Sequence, residues 1–224
     1  ELSGIHPAHL LALVQRAVIE KAGVKPEDVD QLIGGCVTQA GEQAGNLCRN
    51  AWLSMGISYV PGATTIDTQC GSAQQANHLI SALINAGQVD IGIACGAEVM
   101  SHVGLGANVY NGPGYFQPPE WPWDSTPDQF GSVERIAKNR GLTRADVDAF
   151  ALESQRRAAA AWAAGHFDRE VIKVEAPVLG EDGKPTGEKR LVTRDQGVRP
   201  TTAEGLAALK PGQEGGIHTA GNPS

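Results

Sequence analysis

Cys70 is the residue around which reactive chemistry can be built. It stands in Thr65-Ile66-Asp67-Thr68-Gln69-Cys70-Gly71-Ser72-Ala73, where a β-branched run gives way to helix-forming residues. A strand that delivers a cysteine into the first turn of a helix sets its sulfur among unpaired backbone N–H groups. Those donors, with the helix dipole, favour thiolate over thiol and make a nucleophile near neutral pH. Gly71 leaves room for a substrate carbonyl to approach the backbone. A small cysteine that only packs fits the same local pattern, and these residues alone leave both readings open. The other cysteines, Cys36, Cys48 and Cys95, form no Cys-x-x-Cys pair and lie far apart along the chain. With no secretory signal ahead of the first helix, this points to free thiols in a reducing cytoplasm. The six histidines show no ligand spacing with cysteine or carboxylates, so no metal site is expected.

The elements that must position Cys70 alternate between helix and strand. Residues 6–22 carry Leu10, Leu11, Val14, Ala17, Val18 and Ala22 at helical spacing, and Gly23 stops them. Pro26-Glu27-Asp28 opens a short helical turn, and residues 32–37 read as a buried strand. A second helix is predicted over 45–55 with Leu47, Trp52 and Met55 inward, followed by a strand over 63–67 and a long helix over 72–86. Residues 91–97 form an unbroken apolar run with glycines, the pattern of a central parallel strand covered on both faces. This order argues for βαβ units and an α/β layered domain.

At Gly104 the character changes. Residues 104–127 are dense in Gly, Pro and aromatics, Thr143 to Asp146 reads as a capping box opening a helix to about Ala164, and Glu181-Asp182-Gly183-Lys184 reads as a hairpin turn. The chain is therefore expected to consist of an α/β core over 1–103, an inserted α+β loop domain over 104–213 that shapes a binding site, and a return to the core over 214–224. Both ends look cut: the chain opens on Glu1 and stops at Ser224 without completing an element.

Composition bounds the function. The net charge of −7 across 224 residues, with no block of like charges, argues against a nucleic-acid or anionic-membrane surface. No apolar stretch approaches the ~18 residues of a membrane span. A few local Arg and Lys residues can still hold an anionic ligand.

Cys70-Gly71-Ser72 after a strand, followed by Cys95-Gly96-Ala97-Glu98-Val99-Met100-Ser101, resembles the thiolase family. The similarity continues through Gly23 to Asp30, Phe150 to Gln155, Ala164 to Asp168 and Thr219 to Asn222, in the family's order and over nearly the whole chain. The resemblance implies the N-terminal half of a five-layered αβαβα fold, lacking its first strand, plus the inserted loop domain. It implies an acyl-CoA C-acyltransferase that cleaves a 3-ketoacyl-CoA with CoA through an acyl-enzyme on Cys70, or runs the reverse condensation of acetyl-CoA. CoA is then a substrate, with no tightly bound cofactor. A homodimer or homotetramer is implied, in the cytoplasm. By matched position, Arg199 would contact the nucleotide end of CoA, Ser224 the pantetheine arm, and Ala220 would lie beside it.

Departures from the family pattern carry information. Gln129-Phe130-Gly131 occupies the place of the His-Met-Gly of short-chain acetoacetyl-CoA thiolases, and so points to larger substrates of fatty-acid or steroid type and a degradative role in lipid metabolism such as β-oxidation. Asn222-Pro223-Ser224 replaces the usual Asn-Ala-Ser. His102, after the Met-Ser motif, is not at the family's catalytic histidine. The Gly-His-Pro and Cys-x-Gly-Gly motifs that carry the family's catalytic His and second Cys do not occur, so the expectation is a portion of a longer enzyme, or a chain completed by a partner subunit. Two other readings stand beside this one: a non-catalytic thiolase-like subunit that binds CoA or scaffolds a partner, and a ketoacyl synthase, against which the insertion after Ser101 speaks.

Overall fold

The structure, a computed structural model, describes residues 1–110, 112–126 and 128–222. It falls into two compact units: Glu1–Phe116 with Ile172–Val192, and Gln117–Val171 with the chain from Thr193 onward.

In the first unit, α1 (Pro7–Ala22) starts where His6 Nδ1 accepts the Ala8 N–H at 3.2 Å, and ends at Gly23, whose φ of 67° is the left-handed stop that a glycine supplies cheaply. The next elements are β1 (Gln31–Gly35), α2 (Leu47–Ser54), β2 (Gly62–Ile66), α3 (Ser72–Asn85), β3 (Gly92–Gly96) and α4 (Ala107–Tyr110). The strands form a parallel sheet in the order β2-β1-β3. Because side chains alternate across a strand, Leu32 points into a cluster with Ile19 of α1, Trp52 of α2 and Ile93 of β3, while Ile33 joins Ala76 and Ile80 of α3. Helices thus cover both faces, which is the layered α/β arrangement expected.

Two sequence expectations need correcting. The 91–97 run is not central: β1 holds the middle, and β3 pairs with β1 alone among the described residues. The run is apolar because α1 and α3 pack on its two faces, not because strands flank it. The buried stripe of α1 is also displaced from the predicted one. Ala8, Leu11, Ala12, Gln15 and Ile19 face the core, whereas Val14 and Val18 are exposed. A buried glutamine hides that stripe from a hydrophobicity count.

The segment expected as one insertion over 104–213 is divided. Strands β4 (Val174–Leu179) and β5 (Pro185–Val192) form the anticipated antiparallel hairpin, with Val174 opposite Val192. Their inward Val174, Ala176 and Val192 bury Ile5, with Leu2, Leu10 and Ile172 packed around. The hairpin therefore completes the first unit. Residues 104–116 also belong there, and the chain after 214 lies with the second unit instead of returning to the core.

The second unit holds α5 (Gln129–Arg140), α6 (Arg144–Ala163) and α7 (Ala203–Ala207). Asp128 caps α5 by accepting the Gly131 N–H at 2.8 Å. Thr143 and Asp146 form the predicted capping box on α6. Its buried apolar side chains among the described residues are only Ala137 and Leu206, so polar links tie it together. Arg144 donates to Asp148 at 2.7 Å and to the carbonyl of Leu209 at 3.0 Å, and Asp148 accepts from Asn222.

Candidate active site

Cys70 lies in a tight turn just ahead of α3, not within the helix's first turn as its sequence pattern predicts. The turn is built by side chains of its own. Thr68 N–H donates to Ser72 Oγ at 3.0 Å, Ser72 Oγ donates to the Gln69 carbonyl at 2.6 Å, and Gln69 N–H donates to Asp67 at 2.8 Å. Gln69 is held at φ 54°, a left-handed conformation uncommon for a residue with a side chain. The N–H groups of Gly71 and Ser72 close back onto the carbonyls of Thr68 and Gln69. Gly35 lets α3 come this close to β1: a Cβ there would lie 2.6 Å from the Ala73 nitrogen. Strand end, turn and helix start are thus one compact device that carries Cys70 at the surface.

Burial separates the four cysteines. Cys70 is exposed; Cys36 and Cys48 are buried and Cys95 is half-buried. Burial, reinforced by the nearby Glu98 carboxylate, pushes the Cys36 thiol up to about 12, which rules it out as a nucleophile at neutral pH. Cys70 is therefore the one exposed cysteine among the four, open to an electrophile as large as an acyl-CoA.

Glu98, from the Gly96-to-Ser101 motif, anchors the loop after β1. Its carboxylate accepts the Val37 N–H at 2.8 Å, the Thr38 N–H at 3.1 Å and the Gln43 amide at 3.1 Å. Burial opposes its charge, but these donors outweigh burial and hold it below the usual carboxylate range. His102 is a clamp: Nδ1 lies 2.7 Å from Glu42 and Nε2 2.6 Å from the Ser3 carbonyl. With both nitrogens engaged, it has none for proton transfer.

Two cavities of the second unit contain residues singled out in the sequence. One, of about 530 Å³, is bordered by Arg156, Arg194 and Arg199 together with Gln155 and Leu152. Gln155 of α6 holds its far wall, accepting the Arg199 N–H at 3.2 Å and donating to the Gly197 carbonyl at 3.1 Å. The Arg194 guanidinium sits 5.9 Å from the Trp162 ring centroid, a cation–π distance. The Arg194 and Arg199 guanidinium groups beside this concavity suit a phosphorylated ligand, while Arg156 is held by Glu153 at 2.6 and 2.8 Å. Arg156 and Arg194 escaped the sequence reading because only the fold brings them beside Arg199.

The other cavity, about 370 Å³, brings together two predicted residues, Phe130 and Ala220, with Asp128, His218 and Thr219. Glu134 of α5 shapes it by accepting the N–H groups of Ile217 at 3.0 Å and His218 at 2.9 Å, with His218 Nδ1 also 3.0 Å away. Gln129 opens α5 but does not line this cavity. Ser224 lies outside the described residues. Among the described residues no cluster of His, Cys, Asp or Glu could hold a metal ion, and no helix is long and apolar enough to cross a membrane.

Comparison with known proteins gives this geometry a family. Residues 1–224 match the thiolase N-terminal domain. The chain is 37% identical to the steroid 3-ketoacyl-CoA thiolase FadA6 of Mycobacterium tuberculosis, over 98% of this chain and 53% of that protein. It is 36% identical to a 3-ketoacyl-CoA thiolase of Bacillus subtilis, over 100% of this chain and 58% of that protein. It is 37% identical to a peroxisomal 3-ketoacyl-CoA thiolase A of Mus musculus, over 97% and 51% respectively. The chain spans about half the length of the curated relatives it matches. A cysteine presented on a strand-to-helix turn of a layered α/β unit, and motifs in register along the whole length, have one common source: this chain belongs to the thiolase family and carries its N-terminal domain.

Proposed function

We propose that the protein is an acyl-CoA C-acyltransferase of degradative type, with Cys70 as the acyl-carrying nucleophile. The observation that carries this reading is the exposure of Cys70 on its built turn, while Cys36 and Cys48 are buried and Cys95 is half-buried. In the thiolase reaction the Cys70 sulfur attacks the 3-keto carbonyl of a 3-ketoacyl-CoA. The bond between C2 and C3 breaks, acetyl-CoA leaves as an enolate that takes up a proton, and the shortened acyl group stays on the sulfur as a thioester. The thiol of a second CoA then attacks the thioester and frees Cys70. The histidine and second cysteine that the family uses for these proton transfers come from motifs outside these 224 residues, so they are supplied by further chain or by a partner subunit.

CoA enters as a substrate and no tightly bound cofactor is needed. Arg199, joined by Arg194, supports a phosphate-binding role in the second unit for the nucleotide end of CoA. Phe130 and Ala220 support a place for the pantetheine arm or acyl chain, with Gln129 and Ser224 carried over from the family pattern alone. The names of the relatives from M. tuberculosis and mouse favour a bulky or long acyl group in lipid breakdown over acetyl-CoA synthesis. A cytoplasmic homodimer or homotetramer completes the reading. Strand β2 fits it, since it pairs only with β1 among the described residues and leaves an edge for a second copy.

The test is intact mass of the protein after incubation with 3-ketoacyl-CoA substrates of short, long and steroid type, followed by peptide mapping. An acyl adduct on Cys70, absent in Cys70→Ser, is the expected result. A folded protein that binds CoA yet acquires no adduct with any of these substrates would identify a non-catalytic thiolase-like subunit instead.

A further inference from the structure

We propose that Cys48 and Cys95 form a peroxide-responsive dithiol that closes into an internal disulfide across Gly34, tying α2 to β3. The two residues stand 47 positions apart in sequence, on different elements, yet their sulfurs lie 3.6 Å apart. No role in acyl transfer falls to either of them.

The meeting place is built from three directions. Gly34 of β1 stands in register with Cys95 of β3, and a Cβ on Gly34 would come within 2.7 Å of Cys48 Cβ and 2.9 Å of Cys48 Sγ. Any side chain there would fill the space that the sulfurs occupy. From α1, the buried Gln15 turns its Nε2 toward both of them, 3.7 Å from Cys48 and 3.6 Å from Cys95, and toward the Cys48 carbonyl at 3.3 Å. Gln15 Oε1 is buried without a partner among the described residues, a cost that a leucine at this position would not incur. The backbone of Cys48 is fixed, since its N–H donates to Thr65 Oγ1 at 3.1 Å and that hydroxyl donates to Asn46 at 2.8 Å. Closing the pair is thus a matter of side-chain rotation. The sulfurs start 3.6 Å apart and need about 2.0 Å.

The chemistry balances with one hydrogen peroxide. Either sulfur can donate in the 3.6 Å contact; with Cys95 as acceptor, the shared hydrogen bond holds Cys95 below the usual thiol range and pushes Cys48 above it. Cys95, the less buried of the two, therefore attacks first. Its sulfur bonds to a peroxide oxygen, the O–O bond breaks, and the departing hydroxide takes a proton to become water. The Cys48 sulfur then attacks the resulting sulfenic acid, the S–O bond breaks, and hydroxide leaves with the Cys48 proton as a second water. Two thiols are oxidised and one peroxide is reduced to two waters. Dithiothreitol reverses the outcome.

The experiment exposes the folded protein to hydrogen peroxide, removes the peroxide with catalase, unfolds the protein, alkylates free thiols with iodoacetamide and maps the peptides by mass. The expected product is a Cys48–Cys95 linked peptide lighter by two hydrogens, lost on dithiothreitol treatment. It should form equally in Cys70→Ser, which removes the exposed thiol, and vanish in Cys95→Ser with Cys48 recovered as an alkylated thiol. Full alkylation of Cys48 and Cys95 in wild-type protein whose Cys70 has been oxidised would overturn the proposal, as would a cross-link that involves Cys70. None of these readouts depends on acyl transfer, so the dithiol and the thiolase assignment stand or fall separately.

Discussion

The two units are held together by different physics. In the first, Leu11, Leu32, Leu47 and Trp52 are almost wholly buried, and strand alternation sends apolar side chains to helices on both faces of the sheet. In the second, long helices bury almost nothing apolar, and charged or amide groups connect the pieces: Arg144 to Asp148 and to the chain around Leu206, Asn222 to Asp148, and Glu134 to the chain at Ile217 and His218. The contrast matches the division of labour proposed for them. A nucleophile needs a rigid mount, which dense packing provides. A surface that receives a large flexible phosphorylated substrate needs polar groups in reach of solvent, and polar links hold such a surface without covering it.

The sharpest way to break this contrast is in the apolar unit. Trp52→Ala should cost about 3–5 kcal/mol in denaturant unfolding, because it empties a fully buried site. Trp52→Phe should cost much less, since the indole N–H is buried without a partner among the described residues. Comparable losses for both would mean that the indole N–H is in fact satisfied.

In the polar unit, Glu134→Gln should cost about 1–3 kcal/mol by weakening the acceptor of buried N–H groups, read as faster hydrogen exchange at 213–222 with the sheet unaffected. pH acts on Glu134 and on His102 in opposite directions. Burial pushes the Glu134 carboxyl up, but the N–H groups of His218 and Ile217 outweigh it and bring the net value below 4.5. Its contribution is present above the unfolded value and is lost as pH falls through the folded one. The Ser3 carbonyl and the Glu42 carboxylate raise His102 above 6.5. Its contribution is complete below the unfolded value and fades as pH rises through the folded one. Hydrogen exchange at acidic pH should rise at 213–222 and in the Glu98-anchored loop at 37–43, and at mildly alkaline pH in the segment around Ser3.

Smaller effects sharpen the assignment of roles. In the complete enzyme, Arg199→Ala should raise KM for CoA by about tenfold while leaving kcat within a factor of about two, the signature of ground-state binding to a phosphate. A fall in kcat with unchanged KM would remove Arg199 from the nucleotide site. Thr143→Ala should cost about 1 kcal/mol through the lost capping box and fray only the start of α6.

The elements of the first unit were legible because their signals are local. Periodicity, the Gly23 stop and the β-branched run before Cys70 needed no distant information. What escaped depended on contacts between elements. Gln15 reads as a surface residue until the sulfurs of Cys48 and Cys95 appear beside it, and those two cysteines look unrelated until α2 and β3 come together over Gly34. The central position given to residues 91–97 failed because an apolar run reports covered faces and says nothing of sheet order. In the second unit, the apolar signal along 129–140 is too weak to announce α5. Arg199 and Ala220 were found through family pattern, whereas Arg156, Arg194 and His218 became visible only as cavity walls.

The path of the chain through its two units has a consequence for biosynthesis. The first unit begins at Glu1 but is finished by the hairpin at 174–192, and much of the second unit, 117–171, is threaded between. During translation Leu2, Ile5 and Leu10 must therefore wait, uncovered, until the hairpin at 174–192 has emerged. A fragment that stops near residue 116 contains all three strands of the parallel sheet among the described residues and still exposes that apolar patch, so it should be the aggregation-prone species whenever synthesis stalls or a protease cuts after it.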